Sequence, residues 1–452
     1  MRRKPLPRDK RAARRVKRRS AQPFTRETAE PHVAAGYHRY METPPGPLAG
    51  IRVADCSTIL AGPYATMLLA DLGAEVVKVE PPEGDGTRGW GPPWVGSEED
   101  GTRTAAYYLS VNRNKRSIRL DIKTPEGRDA LRRLIGRSDV LVENFRVGGL
   151  DRLGFGDAVL NELNPDLVHL AISGFGTQGP DAGKPGYDFI VQATGGLMSI
   201  TGARDDEGGG PEGGSPTKVG VAISDVVTGL FGAVSILAGL LGRERKTAPG
   251  QRIDVSLLAS TLAVLVNQAQ NAFVSGTAPH RLGNAHPNIV PYETFRTADG
   301  ELAVAVGSER QWPRFCEALG LPNLAADPRY AANGDRVEHR AELRPLLARA
   351  LEARSTTYWL ATLDEAEIPC GPINDIVAAF AQPGAQALDM TVEVEHPVLG
   401  AIRQAGIPFR LGATPASIRT APPLLGEHSR AILAELGYDD DEIDAMSRKG
   451  VI

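Results

Sequence analysis

Residues 51–80 read IRVADCSTILAGPYATMLLADLGAEVVKVE. The run IRVADCS (51–57) reads as a buried strand, TILAG as a loop, and Pro63 to Leu72 as a helix. AEVVKVE (74–80) is a second strand, stopped by Pro81-Pro82. Two strands joined through a helix run parallel, because a hairpin has no room for the crossover. The unit recurs: SIRLDI (117–122), DVLVENF (139–145) and LVHLAISGF (167–175) read as three more strands. Between them Thr124 caps a helix whose apolar residues recur at Leu131, Leu134 and Ile135. Repeated β-α units imply an α/β fold, a parallel sheet with helices on both faces.

The middle of the chain is helical, with helices expected over 187–198 and 222–243. QRIDVS (251–256) reads as a short strand and leads into a long apolar helix ending near Phe273. A new unit starts at Tyr292, with strands in YETFRTAD and ELAVAVG turning at Asp299-Gly300. Helices are expected over 309–319 and 336–366, then PCGPI (369–373), a helix near 375–381, extended Pro-rich segments and one terminal helix. Residues 226–242 carry no charge and fall just short of a membrane-spanning length. Their four glycines and the flanking Asp225 and Arg243 favour a buried core helix, so no membrane partner is expected.

At 452 residues the chain exceeds one ordinary domain, and 42% hydrophobic with 23% charged residues is the composition of a soluble globule. The net charge of −4 conceals an asymmetry. Residues 1–40 carry 13 Lys/Arg against 3 Asp/Glu, so the remainder is strongly acidic and a poor nucleic-acid binder. The basic leader lacks the apolar core of a secretory signal. It reads as a disordered segment over 1–46, or as sequence upstream of a start at Met41; a nucleic-acid- or membrane-touching arm and a transit peptide are the alternatives. Three scattered cysteines form neither a disulfide framework nor a thiolate metal site, and the eight histidines show no ligand spacing. No metal is expected, and the setting expected is a reducing cytoplasm.

Gly174-Phe-Gly176-Thr-Gln-Gly179 matches a dinucleotide-binding fingerprint, but PDAGKPG follows where a helix would have to begin. Neither a nucleophile elbow nor a Walker A sequence is present. Asp225 stands alone at the head of an apolar helix and shares a face with Gly229, Gly232, Ile236 and Gly239. That pattern suits a reactive carboxylate beside a groove, and equally an ordinary N-cap. Tyr187-Asp188 opens another helix and reads as a cap or as a site. Asn144-Phe145 ends a strand at the ligand-binding edge of an open α/β sheet. Arg113, Lys115, Arg116, Arg146 and Arg152 are phosphate candidates or plain surface charges.

Taken together, the blocks at 48–90, 112–135, 139–155 and 186–202, with GQRIDVSLL (250–258), EIPCGPI (367–373) and PLLGEHS (423–429), resemble the class III CoA-transferases of formyl-CoA/carnitine type. The resemblance runs from about residue 47 to the C-terminus. It implies a large Rossmann-like domain (47–280 and 375–452) around an inserted smaller α+β domain (281–374), in an interlocked homodimer. It implies Asp225 as nucleophile, transferring CoA from an acyl-CoA to a carboxylic acid with no cofactor beyond the CoA thioester itself. It places Asn144, Phe145, Arg152, Leu120 and Lys184 at the CoA site, and Leu60, Tyr187 and Asp188 at the substrate site. Leu60 replaces a glutamine of the formyl-CoA transferases, Pro81 replaces an arginine, and their glycine run is missing between Gly283 and Gly307. A bulkier or more apolar acid than oxalate or formate is therefore expected. The family's α-methylacyl-CoA racemases use a histidine just before the acidic residue, where this chain has Tyr187. Racemase activity is thus the second reading, and a non-catalytic CoA-binding protein the third.

Overall fold

The computed structural model describes residues 46–204 and 214–452, so nearly all of the basic leader lies outside the described residues. Six parallel strands form the main sheet: β1 (Arg52–Asp55), β2 (Glu75–Glu80), β3 (Lys115–Arg119), β4 (Val140–Glu143), β5 (Val168–Ser173) and β6 (Gln251–Ser256). Their order across the sheet is β3-β2-β1-β4-β5-β6. That is the doubly wound order, in which the chain leaves β1 toward one edge and later returns to its other side. Val53 of β1 pairs with Val76 on one side and Val140 on the other.

Alternation along each strand sorts the side chains onto two faces. Val53, Val76, Val140 and Val142 enter one core with Leu69 of helix α1 (Ala61–Asp71). Ala54, Val77, Val79 and Leu141 enter the opposite core with Leu131, Leu134 and Ile135 of helix α2 (Pro125–Gly136) and Ile432 and Ile443 near the C-terminus. Burial on both faces is why these strands read as continuous apolar runs. Thr124 caps α2 as expected, its hydroxyl accepting the Gly127 amide at 3.0 Å. Helices α3 (Asp188–Thr194) and α4 (Ile223–Glu244) follow β5.

Glycines on α4 set its packing distance. A Cβ at Gly229 would sit 2.6 Å from the Ala61 carbonyl oxygen, and one at Gly232 2.9 Å from Leu170. The glycine stripe is therefore filled by α1 and the sheet, and it forms no ligand groove. Only that face of α4 is buried; Leu230, Phe231, Val234 and Leu241 on the rest are exposed. Among the described residues α4 is the one unbroken helix long and apolar enough to cross a membrane, and its buried face lies on the protein's own sheet.

Several expected helices are divided. The apolar helix expected to reach Phe273 is two, Leu257–Ala263 and Val266–Ser275, bent by 73°. Its ladder breaks where the Leu265 amide turns back to Leu262, and Val266 takes a φ of +40°. The helix expected over 336–366 breaks before Ser355, whose hydroxyl caps the new helix at the Tyr358 amide. The terminal helix is two, separated at Gly437 (φ +91°) and restarted by a capping box on Asp439. Strands Tyr292–Arg296, Glu301–Ala305 and Cys370–Pro372 form a separate antiparallel sheet. It packs its own apolar core with Trp312, Phe315, Leu343 and Trp359.

Candidate active site

The reversal of winding falls between β1 and β4, and the loops leaving those two strands meet there. Every peptide group from the Ser57 amide to the Ile59 amide is held by a side chain. Asp55 accepts the Ser57 amide at 3.0 Å, and the Lys78 ammonium donates to the Ser57 carbonyl at 2.9 Å. Asn144 spans the switch point, accepting the Thr58 amide at 2.9 Å and donating to the Thr58 carbonyl at 2.8 Å. Asp85 accepts the Ile59 amide at 3.3 Å. Ile59 needs this support, since it sits at φ +72°, a conformation costly for a β-branched residue.

The clamp rests on a buried ionic cluster. Lys78 pairs with Asp85 at 2.9 Å and Lys115 with Asp55 at 3.0 Å, all four side chains fully buried. Burial alone would raise the Asp55 carboxyl, but Lys115, Lys78 and the Ser57 and Thr66 hydroxyls outweigh it and hold it at about 2. Three of the cations weighed as phosphate ligands are thus structural. Lys115 belongs to this cluster, Arg113 forks onto Asp71 at 2.7 and 3.0 Å, and Arg116 bridges Glu75 and Glu435.

Beyond the strained residue, α1 starts without a side-chain cap. The amides of Leu60, Ala61 and Gly62 have no acceptor among the described residues. Asp225 lies on the face of α4 that carries Gly229, one turn before the point where Gly229 meets Ala61. It is the third residue of its helix, and the N-cap position is Ala222, so Asp225 is not the ordinary cap that its position suggested. The cap comes from α3: Asp188 accepts the Ser224 amide at 2.8 Å with one oxygen and the Gln192 side chain at 2.7 Å with the other. No donor bonds the Asp225 carboxylate among the described residues. Burial, and then the nearby Asp188 charge, push its carboxyl up to about 7.

Asp225 lies at the junction of two cavities. The first, about 220 Å³, is lined by Thr58, Ala61, Asn144, Phe145, Arg146 and Lys184. The second, about 740 Å³, is lined by Leu60, Tyr64, Trp90, Tyr107, Asp188 and Lys218. Tyr187, 60% exposed at the start of α3, borders both. Of the expected residues, the fold brings Asp225, Tyr187, Asp188, Leu60, Asn144, Phe145 and Lys184 together. Leu120 is not among them, because its side chain is sealed in the core beneath α2. Arg152 is exposed and lines neither cavity; Arg146 does instead. Sequence reasoning missed Trp90, Tyr107 and Lys218. Residues 84–94 read GDGTRGWGPPW, a Gly/Pro-rich stretch in which nothing signals that Trp90 packs edge-on to Tyr107 at 5.2 Å. Burial and the charges of Asp225 and Asp188 push the Tyr107 hydroxyl up to about 12, so it stays protonated. Another cavity, about 810 Å³ beside Gly283, Glu293 and Arg344, holds none of the expected residues.

The fold is a doubly wound sheet with an unbonded carboxylate, Asp225, in the cavities that open near its switch point among the described residues. The chain belongs to CoA-transferase family III, whose model matches residues 48–429. It is 45% identical to the succinate–glutarate CoA-transferase of Agrobacterium fabrum, across 86% of this chain and 96% of that one. It is 41% identical to the succinyl-CoA:glutarate CoA-transferase of Homo sapiens, across 90% of each. A crystal structure of a CaiB/BaiF family protein from Brucella suis matches with a TM-score of 0.76 and 41% identity, covering 87% of this chain and all of that one. The chain is a CoA-transferase.

Proposed function

We propose that this enzyme exchanges CoA between dicarboxylic acids through a covalent intermediate on Asp225. The Asp225 carboxylate attacks the thioester carbonyl of the donor and expels CoA thiolate, giving a mixed anhydride. The thiolate then attacks the aspartyl carbonyl, which releases the donor acid and leaves an Asp225–CoA thioester. The acceptor carboxylate attacks that thioester and again expels thiolate. Attack of the thiolate on the acceptor's acyl carbonyl completes the new acyl-CoA and frees Asp225. Dividing the exchange in this way keeps the thioester energy at every stage.

The observation that carries this reading is the Asp225 carboxylate itself, unbonded and placed between two cavities. A carboxylate raised to about 7 is more basic, and so more nucleophilic, than an ordinary one, yet it is still about half ionised at neutral pH. The free amides of Leu60, Ala61 and Gly62 at the head of α1 are suited to the oxyanions of the tetrahedral steps. Arg146 and Lys184 at the first cavity are suited to CoA phosphates. The names of the succinate and glutarate enzymes support a dicarboxylic substrate. Racemase chemistry, which needs a histidine base, is disfavoured because no histidine lines either cavity among the described residues. The exposed apolar residues of α4, together with Ile373, Ile376, Val377 and Leu388, support an interlocked homodimer.

The test is mass spectrometry of the peptide containing Asp225 after mixing with succinyl-CoA. A CoA or succinyl adduct on Asp225, trapped by hydroxylamine as the hydroxamate, is expected. Turnover with no modification of Asp225 would refute the covalent route.

A further inference from the structure

The acyl-side cavity poses an electrostatic problem that its catalytic residues do not solve. Its walls carry two carboxylates, Asp188 and Asp225, and apolar or aromatic side chains such as Leu60, Tyr64 and Trp90. A monocarboxylic acid brings one anionic group there, and that group is the one that reacts. A dicarboxylic acid brings a second, which stays ionised throughout and meets an acidic, partly dry chamber. An unpaired charge in such a place is excluded unless a cation answers it.

Among the described residues that line this cavity, Lys218 is the single cation. It stands on the extended stretch just before α4, seven positions ahead of Asp225 in the chain. Among the described residues its ammonium is paired with no carboxylate. Its contacts are two long ones, 3.3 Å to the Val219 carbonyl and 3.4 Å to the Gly220 carbonyl. Cations behind the wall are already committed: Arg88 to Glu80 at 2.7 Å and Arg113 to Asp71 at 2.7 Å. Lysine is also the right kind of residue for the task, a flexible point charge able to follow acids of different length.

We infer that Lys218 is the specificity-determining cation of the acyl chamber, pairing with the far carboxylate of a dicarboxylic substrate while the near one reacts at Asp225. This rests on the transferase reading above. Donor and acceptor acids occupy the same chamber in turn, so Lys218 serves both half-reactions. It discriminates by charge at the end of the acid remote from the chemistry and takes no part in bond making.

The experiment compares glutarate with pentanoate, acids of equal chain length that differ by the far carboxylate, as acceptors from succinyl-CoA. The readout is the ratio of their kcat/KM values for the purified full chain. A lost charge-assisted hydrogen bond lowers the glutarate:pentanoate ratio by roughly 10- to 100-fold in Lys218→Met. Lys218→Arg keeps most of the preference, and Lys218→Glu lowers the ratio further. A wild-type preference for glutarate that survives Lys218→Met overturns this inference and leaves the transferase reading standing. So does an equal loss with both acids, which would mark Lys218 as structural. A wild-type enzyme that uses pentanoate as well as glutarate overturns the dicarboxylate reading and this inference with it.

Discussion

Replacing Asp225 by asparagine separates the chemical value of its charge from the structural cost. The folded protein holds this carboxyl at about 7 against an ordinary 3.8, so folding favours the neutral form. Folded chains therefore bind more protons than unfolded ones between those values. The stability linked to the neutral carboxyl is whole below pH 3.8 and is lost as pH rises through 7. A shift of this size at 1.36 kcal/mol per unit is about 4 kcal/mol, and screening at a half-buried group reduces it to roughly 2–4 kcal/mol. Asp225→Asn keeps the shape of the neutral acid and has no proton to lose. Its stability relative to wild type should be small at pH 4.5 and grow by most of that amount by pH 8. Given the unfolding entropy of about 400 ordered residues, the gap is on the order of 3 °C in Tm. Scanning fluorimetry of both proteins from pH 4.5 to 8, beside an exchange assay that the variant fails, measures it. A Tm gap that stays flat with pH, or opens in the acid direction, refutes the account of Asp225 as a destabilised buried carboxylate.

The same carboxyl sets the acid limb of activity, so the rate of the first half-reaction should fall as pH drops through about 7. Asp188→Asn should move that limb to lower pH, because the amide oxygen still accepts the Ser224 amide while the repelling charge is gone; a limb left in place would sink this assignment. Beneath the site, Lys115→Met leaves Asp55 buried without its partner and should cost about 3–5 kcal/mol, read as a lower urea midpoint. Adding Asp55→Asn should restore part of it, and a single variant with a wild-type midpoint would contradict the clamp.

The sheet was legible because burial on both faces writes itself into each strand. Val53 and Ala54, or Val76 and Val77, are apolar neighbours that go to opposite cores. β6 was readable as a strand, but its place beside β5 depends on a crossover that spans α3 and α4. The division near Val266 was hidden because the break falls inside an apolar run with no glycine or proline to mark it. Asp225 stood out as the lone charge on a glycine face, whereas its cap lies 36 residues away from Ser224 on another helix. Arg113 and Lys115 looked like phosphate ligands because sequence displays a charge without its partner. Asp71 and Asp55, which consume them, lie 42 and 60 residues away. Leu120 lies one position past a strand end, where the burial of its side chain becomes readable only once the covering helices are known.

The arrangement explains why an acidic protein can handle a ligand as anionic as acyl-CoA. Its buried cations are spent inside the fold, holding the Ser57–Ile59 loop and the strained Ile59 against the head of α1. Among the described residues the two cavities beside Asp225 are lined by few cations, Arg146 and Lys184 in the first and Lys218 in the second. Between them burial, and then the Asp188 charge, raise the Asp225 carboxyl, and Asp188 is also the residue that caps its helix. One carboxylate thus caps the helix that carries Asp225 and adds to the basicity that burial gives it. That coupling makes a positive residue directly beside Asp225 unfavourable, because it would bond the carboxylate and lower its basicity. It follows that a cation serving substrate charge must line the chamber without bonding Asp225, as Lys218 does among the described residues.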